Sequence, residues 1–402
     1  MNDAPEKRAI ISGIGISRIG RKTDVADLDL TTESALAAIA DAGLRPDDID
    51  GIASMGDTPL DAVEQHVGGR IGSFPMVGTG GLLAPVMGAF LAVASGAARH
   101  VLVYRTVKMM GGSILPPSGA APPAAPPAAP PAATRASAGE SGAREGMGSV
   151  MGDMAPLLTY HAYSAANWLA MHAQRHMYLY GTTKEQLGWL AVNSRRNAAL
   201  NERAVYREPM TLDDYLGARP VSDPFGLLDC DVPVDGSISV VISSADYAPD
   251  CPNPPVRVEA MGGSTGPGAW DQRPDYPKMA SVDAAGELWS KTDLTPGDVD
   301  VAELYDGFTF LAFAWLEALG FCGTGESGPF VEGGARIALD GALPLNTYGG
   351  QLSAGRMHGY WVLHEACLQL RGEAGERQVA GAEVAAVSVG GGPIAGCILL
   401  TR

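Results

Sequence analysis

"LRPDDIDGI", Leu44 to Ile52, returns as "LTPGDVDVA", Leu294 to Ala302, with no gap and 250 positions further on. Each copy holds a proline turn, two aspartates two apart and a short β-branched run, which reads as a turn leading into a strand. The segments in front of them match as well. "TTESALAAIADAG" and "SVDAAGELW" carry apolar residues at helical spacing, so each copy is helix, turn, strand. A second pairing extends the first: "MGAFLAVASGAARHVLVY" (Met87 to Tyr104) and "LHEACLQLRGEAGERQVAGAEVAAVSVGGG" (Leu363 to Gly392) are both helix, glycine, strand. With "RAIISGIGISRIG" as an opening buried strand, the chain reads as one α/β half written twice. Duplication on this scale predicts two related sheets packed through a shared helical layer.

The halves are assigned to residues 1–107 with 220–248, and to 249–402. Residues 108–219 have no counterpart. Their first part, 116–145, is Pro/Ala-rich, cannot build a core and is expected to be a surface insertion. From Met151 onward, "AANWLAMHAQRHMYLYG" and "TKEQLGWLAVNSRRNAALN" have helical patterning with Gly or Asn stops, which predicts a helical lid or partner-facing domain.

At 402 residues and a formal charge of −17, with a pI near 4.8, the chain is poorly suited to nucleic acid or anionic membrane, both of which need clustered basic surface. An anionic ligand must be held locally, by a few basic side chains or helix N-termini. The five cysteines, Cys230, Cys251, Cys322, Cys367 and Cys397, show no metal-type spacing, and no signal peptide is recognisable, so a reducing cytoplasm is expected. The uncharged stretch Ile71 to Ala98 is broken by Pro75, Gly78, Gly80, Gly81 and Pro85. It is too interrupted to span roughly 30 Å of hydrocarbon and is expected to hold a helix buried all round.

Chemistry concentrates in "LPLNTYGGQLSAGRMHGYW", Leu343 to Trp361, where four glycines surround Ser353, Arg356 and His358 ahead of a helix, and in "ELYDGF", Glu303 to Phe308. Gly349 and Gly350 would let backbone approach a ligand closely, or simply make a tight turn. Tyr305 is a proton-transfer candidate or a strand-end packing residue. His358 is a second such candidate or a satisfied loop histidine, and Arg356 a cation for an anionic group or the partner of Asp306 or Glu303. His172 and His176, one helical turn apart with His161 upstream, lack a further ligand and read as packing residues, so no metal is expected. The glycine spacings of "STGPGAW" and "ISGIGISRIG" are read as turns.

Taken in order, the duplicated halves, the helical insertion, "SDPFGLLDCDVPVDGSISVVISSAD" (Ser222 to Asp246), "ELYDGF" and "NTYGGQLSAGRMHG" resemble the thiolase superfamily. More narrowly they resemble its sterol-carrier and lipid-transfer-like branch, which handles acyl-CoA thioesters. The resemblance implies a five-layer αβαβα arrangement with an inserted loop domain. A thiolase's nucleophilic cysteine would fall near Thr79, its second cysteine at Ser388 or Val389, and its catalytic histidine at Arg356. None of these is cysteine or histidine here, which turns the reading away from an acyl-enzyme.

The cysteine-lacking steroid side-chain aldolases of the superfamily are similar in this respect. That likeness implies a retro-aldol lyase that cleaves a β-hydroxyacyl-CoA to a ketone or aldehyde and a short acyl-CoA, with Tyr305 in proton transfer. The second tyrosine of those aldolases falls at Arg356, which stays protonated and can supply only charge or hydrogen bonds, leaving His358 as partner in proton transfer. Asn346, Gly349, Gly350, Ser353 and Thr79 would line the thioester site. Coenzyme A would arrive as part of the substrate, with no permanent cofactor. The resemblance further implies a homodimer, with the buried helix of the first half near the interface, and a small OB-fold, zinc-ribbon partner. A thiolase-type acyltransferase and a silent acyl-CoA-binding subunit are the alternatives.

Overall fold

The repeated nonapeptide has the same hydrogen bonds in both copies. In the computed structural model, which describes residues 4–69, 74–78, 81–109, 157, 159–266 and 270–402, Asp48 accepts from the backbone N–H of Arg45 at 2.8 Å, and Asp298 from that of Thr295 at 2.8 Å. Each bond closes a single 3-10 turn behind a proline. Two residues later, Asp50 accepts from the N–H groups of Arg99 and His100, and Asp300 from those of Glu383 and Val384. The first aspartate of each pair therefore caps a turn, and the second ties down the start of the neighbouring strand. Buried or half-buried N–H groups need such acceptors.

Around this motif the first half runs β1 (Ala9–Ile16), α1 (Asp27–Asp41), β2 (Gly51–Ser54), α2 (Leu60–Val67), β3 (Phe74–Val77), α3 (Ala84–Ala94) and β4 (His100–Lys108). The insertion contributes α4 (Ala165–Tyr180), α5 (Lys184–Ala199) and α6 (Leu212–Leu216), followed by a small ribbon of β5 (Pro220–Ser222) and β6 (Phe225–Gly226). Strand β7 (Asp235–Ser244) returns to the first half. The second half runs β8 (Val256–Thr265), α7 (Ala280–Trp289), β9 (Val301–Glu303), α8 (Thr309–Ala318), α9 (Ser327–Val331), α10 (Tyr360–Arg371), β10 (Val384–Gly391) and β11 (Ile394–Thr401).

The strands lie in the order β3-β2-β4-β7-β1-β8-β11-β10-β9. Outward from the centre, β1, β7, β4 and β2 correspond to β8, β11, β10 and β9, with two antiparallel pairings and then a parallel one on each side. Where two packed sheets were expected, hydrogen bonding is continuous, but the seam between β1 and β8 rests on two partner pairs, Ile10 with Arg257 and Ile11 with Val256. Beyond it the halves diverge. Helix α3 packs on β4 and β7 of its own half and comes up against Gly263 and Gly396 of the other, while α10 packs on β9 and β10 and on β1 and β7. These two helices form the shared inner layer.

The outer layer is set by glycine. A Cβ at Gly13 would lie 2.1 Å from the carbonyl oxygen of Ala38 in α1, and one at Gly262 would lie 1.9 Å from that of Ala284 in α7. In both halves a helix backbone therefore rests directly on a strand.

Helix α3 corrects one expectation. Val86, Ala89, Phe90 and Val93 are buried, but Leu91 is 48 % exposed, so the helix keeps one open edge beside the terminal strand β3. Among the described residues no helix is long and apolar enough to cross a membrane. The Pro/Ala-rich segment 116–145 lies outside the described residues.

Candidate active site

Strand β9 ends at Glu303, and the chain passes through Leu304, Tyr305, Asp306 and Gly307 before α8 begins. This turn is fixed from three sides. Asn346 accepts from the N–H of Leu304 at 2.7 Å, Ser388 from that of Tyr305 at 3.2 Å, and Asp306 from that of Gln351 at 2.8 Å. The loop that supplies Asn346 and Gln351 is held by the insertion, where Asn193, Asn197 and Asn201 line one face of α5 and its C-terminal continuation. Their side-chain amides donate to the carbonyls of Leu345, Asn346 and Tyr348. The loop then makes one π turn, Gly350–Ala354, entirely buried. Such turns are frequent at functional sites.

These supports bring Tyr305, Arg356 and His358 to one cavity of about 390 Å³. Its walls are largely apolar, with Met55, Leu82, Leu169, Trp270, Phe308 and Leu311, and Asp231 adds a carboxylate. Leu82 stands two residues before α3 and His358 two before α10, so both inner helices begin at the cavity. Their N-termini carry partial positive charge that favours an anion. A second cavity, of about 450 Å³, lies between the end of α5 and α10 beside Arg203, Arg377 and His364, and is lined by none of the three.

Arg356 pairs with Asp231, Nη1 lying 3.2 and 3.3 Å from the two carboxylate oxygens, rather than with Asp306 or Glu303, the partners its ion-pair alternative named. The loop of Asp231 is stitched to the site by backbone. Asp231 N–H donates to Gly307 O, Val232 N–H to Gln351 O, and Arg356 N–H to Val232 O. Burial outweighs the nearby guanidinium and raises the Asp231 carboxyl to about 7, and burial raises Asp306 to about 6. Tyr305 is pushed well above its ordinary value, first by burial and then by Asp231. It is a protonated phenol at neutral pH.

His358 sits at φ 49 between the π turn and α10. Its Nδ1 lies 2.5 Å from Nη2 of Arg105, whose Nη1 pairs with Asp57. Burial, then Arg105 and Arg356, hold the imidazole well below its usual value, so it is neutral. A guanidinium only donates, so Nδ1 is the acceptor and the ring proton resides on Nε2. Of the two ring nitrogens of His358, Nε2–H is therefore left as a hydrogen-bond donor.

The other expected residues play supporting parts. Asn346, at φ 50, orients the Tyr305 turn, and Ser353 is buried and accepts from Arg195 at 2.9 Å. Gly349 and Gly350 approach protein: a Cβ on the first would lie 2.5 Å from Cβ of Ala198, and one on the second 1.9 Å from Oδ2 of Asp306. None of these four lines the cavity. Thr79 lies outside the described residues. His176 bonds Glu317 and Thr182, His172 bonds the carbonyl of Trp168, and His161 bonds Tyr163.

Sequence reasoning missed Asp231, Asp57 and Arg105. Arg105 carried a signal, being a charge inside the buried strand "HVLVYRTVK", where an ionised group needs a buried partner. Asp231 was legible only as a neighbour of Cys230.

No cysteine lines the cavity. Burial raises the thiols of Cys230, Cys322 and Cys367 to about 12 and also raises those of Cys251 and Cys397. None of these environments favours a thiolate nucleophile.

Comparison with known proteins places the chain in a family. The thiolase C-terminal domain-like family matches residues 262–399. A 17-hydroxy-3-oxo-4-pregnene-20-carboxyl-CoA lyase of Mycobacterium tuberculosis is 34% identical over 98% of this chain and 99% of its own. The chain belongs to the aldolase branch of the thiolase superfamily. A steroid side-chain-cleaving aldolase of Thermomonospora curvata is likewise 34% identical over 90% of each chain. The solved Ltp2-ChsH2(DUF35) aldolase superposes with a TM-score of 0.84 at 31% identity, covering 98% of both chains. As a member of this branch the chain is a carbon–carbon lyase of CoA thioesters.

Proposed function

We propose that this aldolase cleaves a tertiary β-hydroxyacyl-CoA with a bulky, steroid-like acyl group, giving a ketone and a short acyl-CoA. The observation that carries this reading is the cavity itself, an apolar chamber whose polar groups, Asp231, Tyr305, Arg356 and His358, converge with no thiol among them. Cleavage of the Cα–Cβ bond leaves its electron pair on the thioester as an enolate. Stabilisation of that charge by preorganised donors is the main task of such a site. Nε2–H of His358 and the two helix N-termini serve it, while Arg356 and Arg105 add positive charge. Tyr305, protonated and inside the cavity, returns a proton to Cα. Asn346, Gly349, Gly350 and Ser353 act on the thioester through the shape of the loop they hold.

The chain works, in our reading, in a cytoplasmic complex with a small OB-fold, zinc-ribbon protein, as the aldolase solved with a DUF35 protein suggests. It also forms a homodimer across the open edge of α3 and β3. Leu91 and Val77, 48 % and 53 % exposed, support that edge as an interface.

The test is an assay by mass spectrometry. The chain, alone and co-purified with its zinc-ribbon neighbour, is given 17-hydroxy-3-oxo-4-pregnene-20-carboxyl-CoA. Ketone and propionyl-CoA in equal amounts support the reading; intact substrate with both preparations would overturn it.

A further inference from the structure

We infer that Asp231 is the general base that takes the proton from the β-hydroxyl group, with Arg356 as the residue that positions it. The inference rests on the lyase reading and assigns the step that the sequence left to Tyr305 and His358. Both of those are unsuited to it. Tyr305 is a protonated phenol, and the Nδ1 lone pair of His358 is occupied by Arg105. Arg105 and Arg356 are permanent cations. Among the described polar residues lining the cavity, Asp231 alone carries an ionisable group with lone pairs free to accept a proton at neutral pH.

Geometry prepares it for that part. Its side chain is 8 % exposed and faces the cavity beside Tyr305. The near-symmetric contact from Nη1 of Arg356 fixes the carboxylate plane and leaves further lone pairs on both oxygens. The titratable groups around it are Arg356 from the loop before α10, Asp306 and Tyr305 from the turn after β9, and Cys230 beside it in the chain. Burial and Asp306 raise its carboxyl and Arg356 lowers it, for a net value of about 7. A base poised near the working pH is the most effective one.

The step balances within the site. Asp231 carboxylate takes the hydroxyl proton, the C–O bond becomes a carbonyl, and the Cα–Cβ pair moves onto the thioester as an enolate. Tyr305 O–H then protonates Cα. The proton held by Asp231 returns to the Tyr305 phenolate, and both residues end as they began.

The experiment follows kcat/KM for the same steroid thioester from pH 5 to pH 9 in the wild-type complex and in Asp231→Asn, Asp231→Glu and Tyr305→Phe. The wild type is expected to lose activity tenfold per pH unit below a limb near 7. Asp231→Asn should fall at least about 100-fold at the optimum, Asp231→Glu should keep more activity than Asn with a displaced limb, and Tyr305→Phe should keep the limb in its residual rate. All should bind the uncleavable 17-deoxy thioester within threefold of wild type. Asp231→Asn within threefold of wild-type turnover, an unmoved limb in Asp231→Glu, or loss of deoxy-thioester binding in Asp231→Asn would each overturn the assignment. Intact substrate with wild type overturns the lyase reading itself, a distinct failure.

Discussion

Arg105 and His358, 253 positions apart, meet at 2.5 Å between Nη2 and Nδ1. Because the first can only donate, the contact settles which nitrogen of the second carries the proton. Removing the guanidinium while keeping bulk, in Arg105→Met, frees Nδ1 and removes a charge that depresses the imidazole. The His358 pKa should rise toward its ordinary value, measurable by imidazole 15N shifts against pH, with kcat reduced about 10- to 100-fold.

Tyr305→Phe removes the phenol proposed to protonate Cα and little of the packing. We expect kcat to drop about 100- to 10,000-fold with KM within a few-fold, the signature of an interaction made at the transition state. Steady-state kinetics on the complex reads both.

Replacing all five cysteines with alanine or serine should leave turnover within twofold. Iodoacetamide at pH 7.5 should leave it equally unchanged, because burial holds the thiols protonated. Inhibition traced by peptide mass mapping to one alkylated cysteine would point instead to an acyl-enzyme.

Asp306 links stability to pH. Its carboxyl stands raised to about 6 in the fold, so the neutral form is the one the fold favours. The stability it contributes is complete below about pH 4, the unfolded value, and is lost as pH rises through 6. Asp306→Asn should flatten the urea stability curve across this window and gain about 2 to 3 kcal/mol relative to wild type at pH 8.

Two glycines share one positive φ and differ in surroundings. Gly350 and Gly375 both have φ 62, but a Cβ on Gly350 would strike Asp306 Oδ2 while one on Gly375 meets nothing within 4 Å. Gly375→Ala should cost about 1 kcal/mol for the left-handed backbone alone, and Gly350→Ala about 2 to 4 kcal/mol more in the same urea titration.

The duplication was legible because it is written in polar side chains. Asp48 and Asp50, like Asp298 and Asp300, must stand at fixed offsets to cap a turn and a strand. Arg356 and His358 were legible because they sit in a glycine-rich loop, and Tyr305 because it stands beside Asp306 in a strand-end turn closed by Gly307. Asp231 was not, since its partner lies 125 positions away and no local period marks such a pairing; Arg105 was marked only as a charge inside a buried strand, with nothing local to name His358, 253 positions away, as its partner. Gly349 and Gly350 misled for a related reason: a glycine pair announces close approach, but only the fold tells whether the neighbour is a ligand or, as here, Ala198 and Asp306.

The register of the repeated nonapeptide reaches past its strands. Continued three residues, it sets Met55 after β2 opposite Tyr305 after β9, and both line the cavity. The two copies therefore place the same backbone station at the cavity, one furnished with a phenol and the other with an inert thioether. The division of labour between an acid wall and a greasy wall is thus a divergence at one ancestral address. Met55 is where a change of acyl-group preference would come without disturbing the proton chemistry.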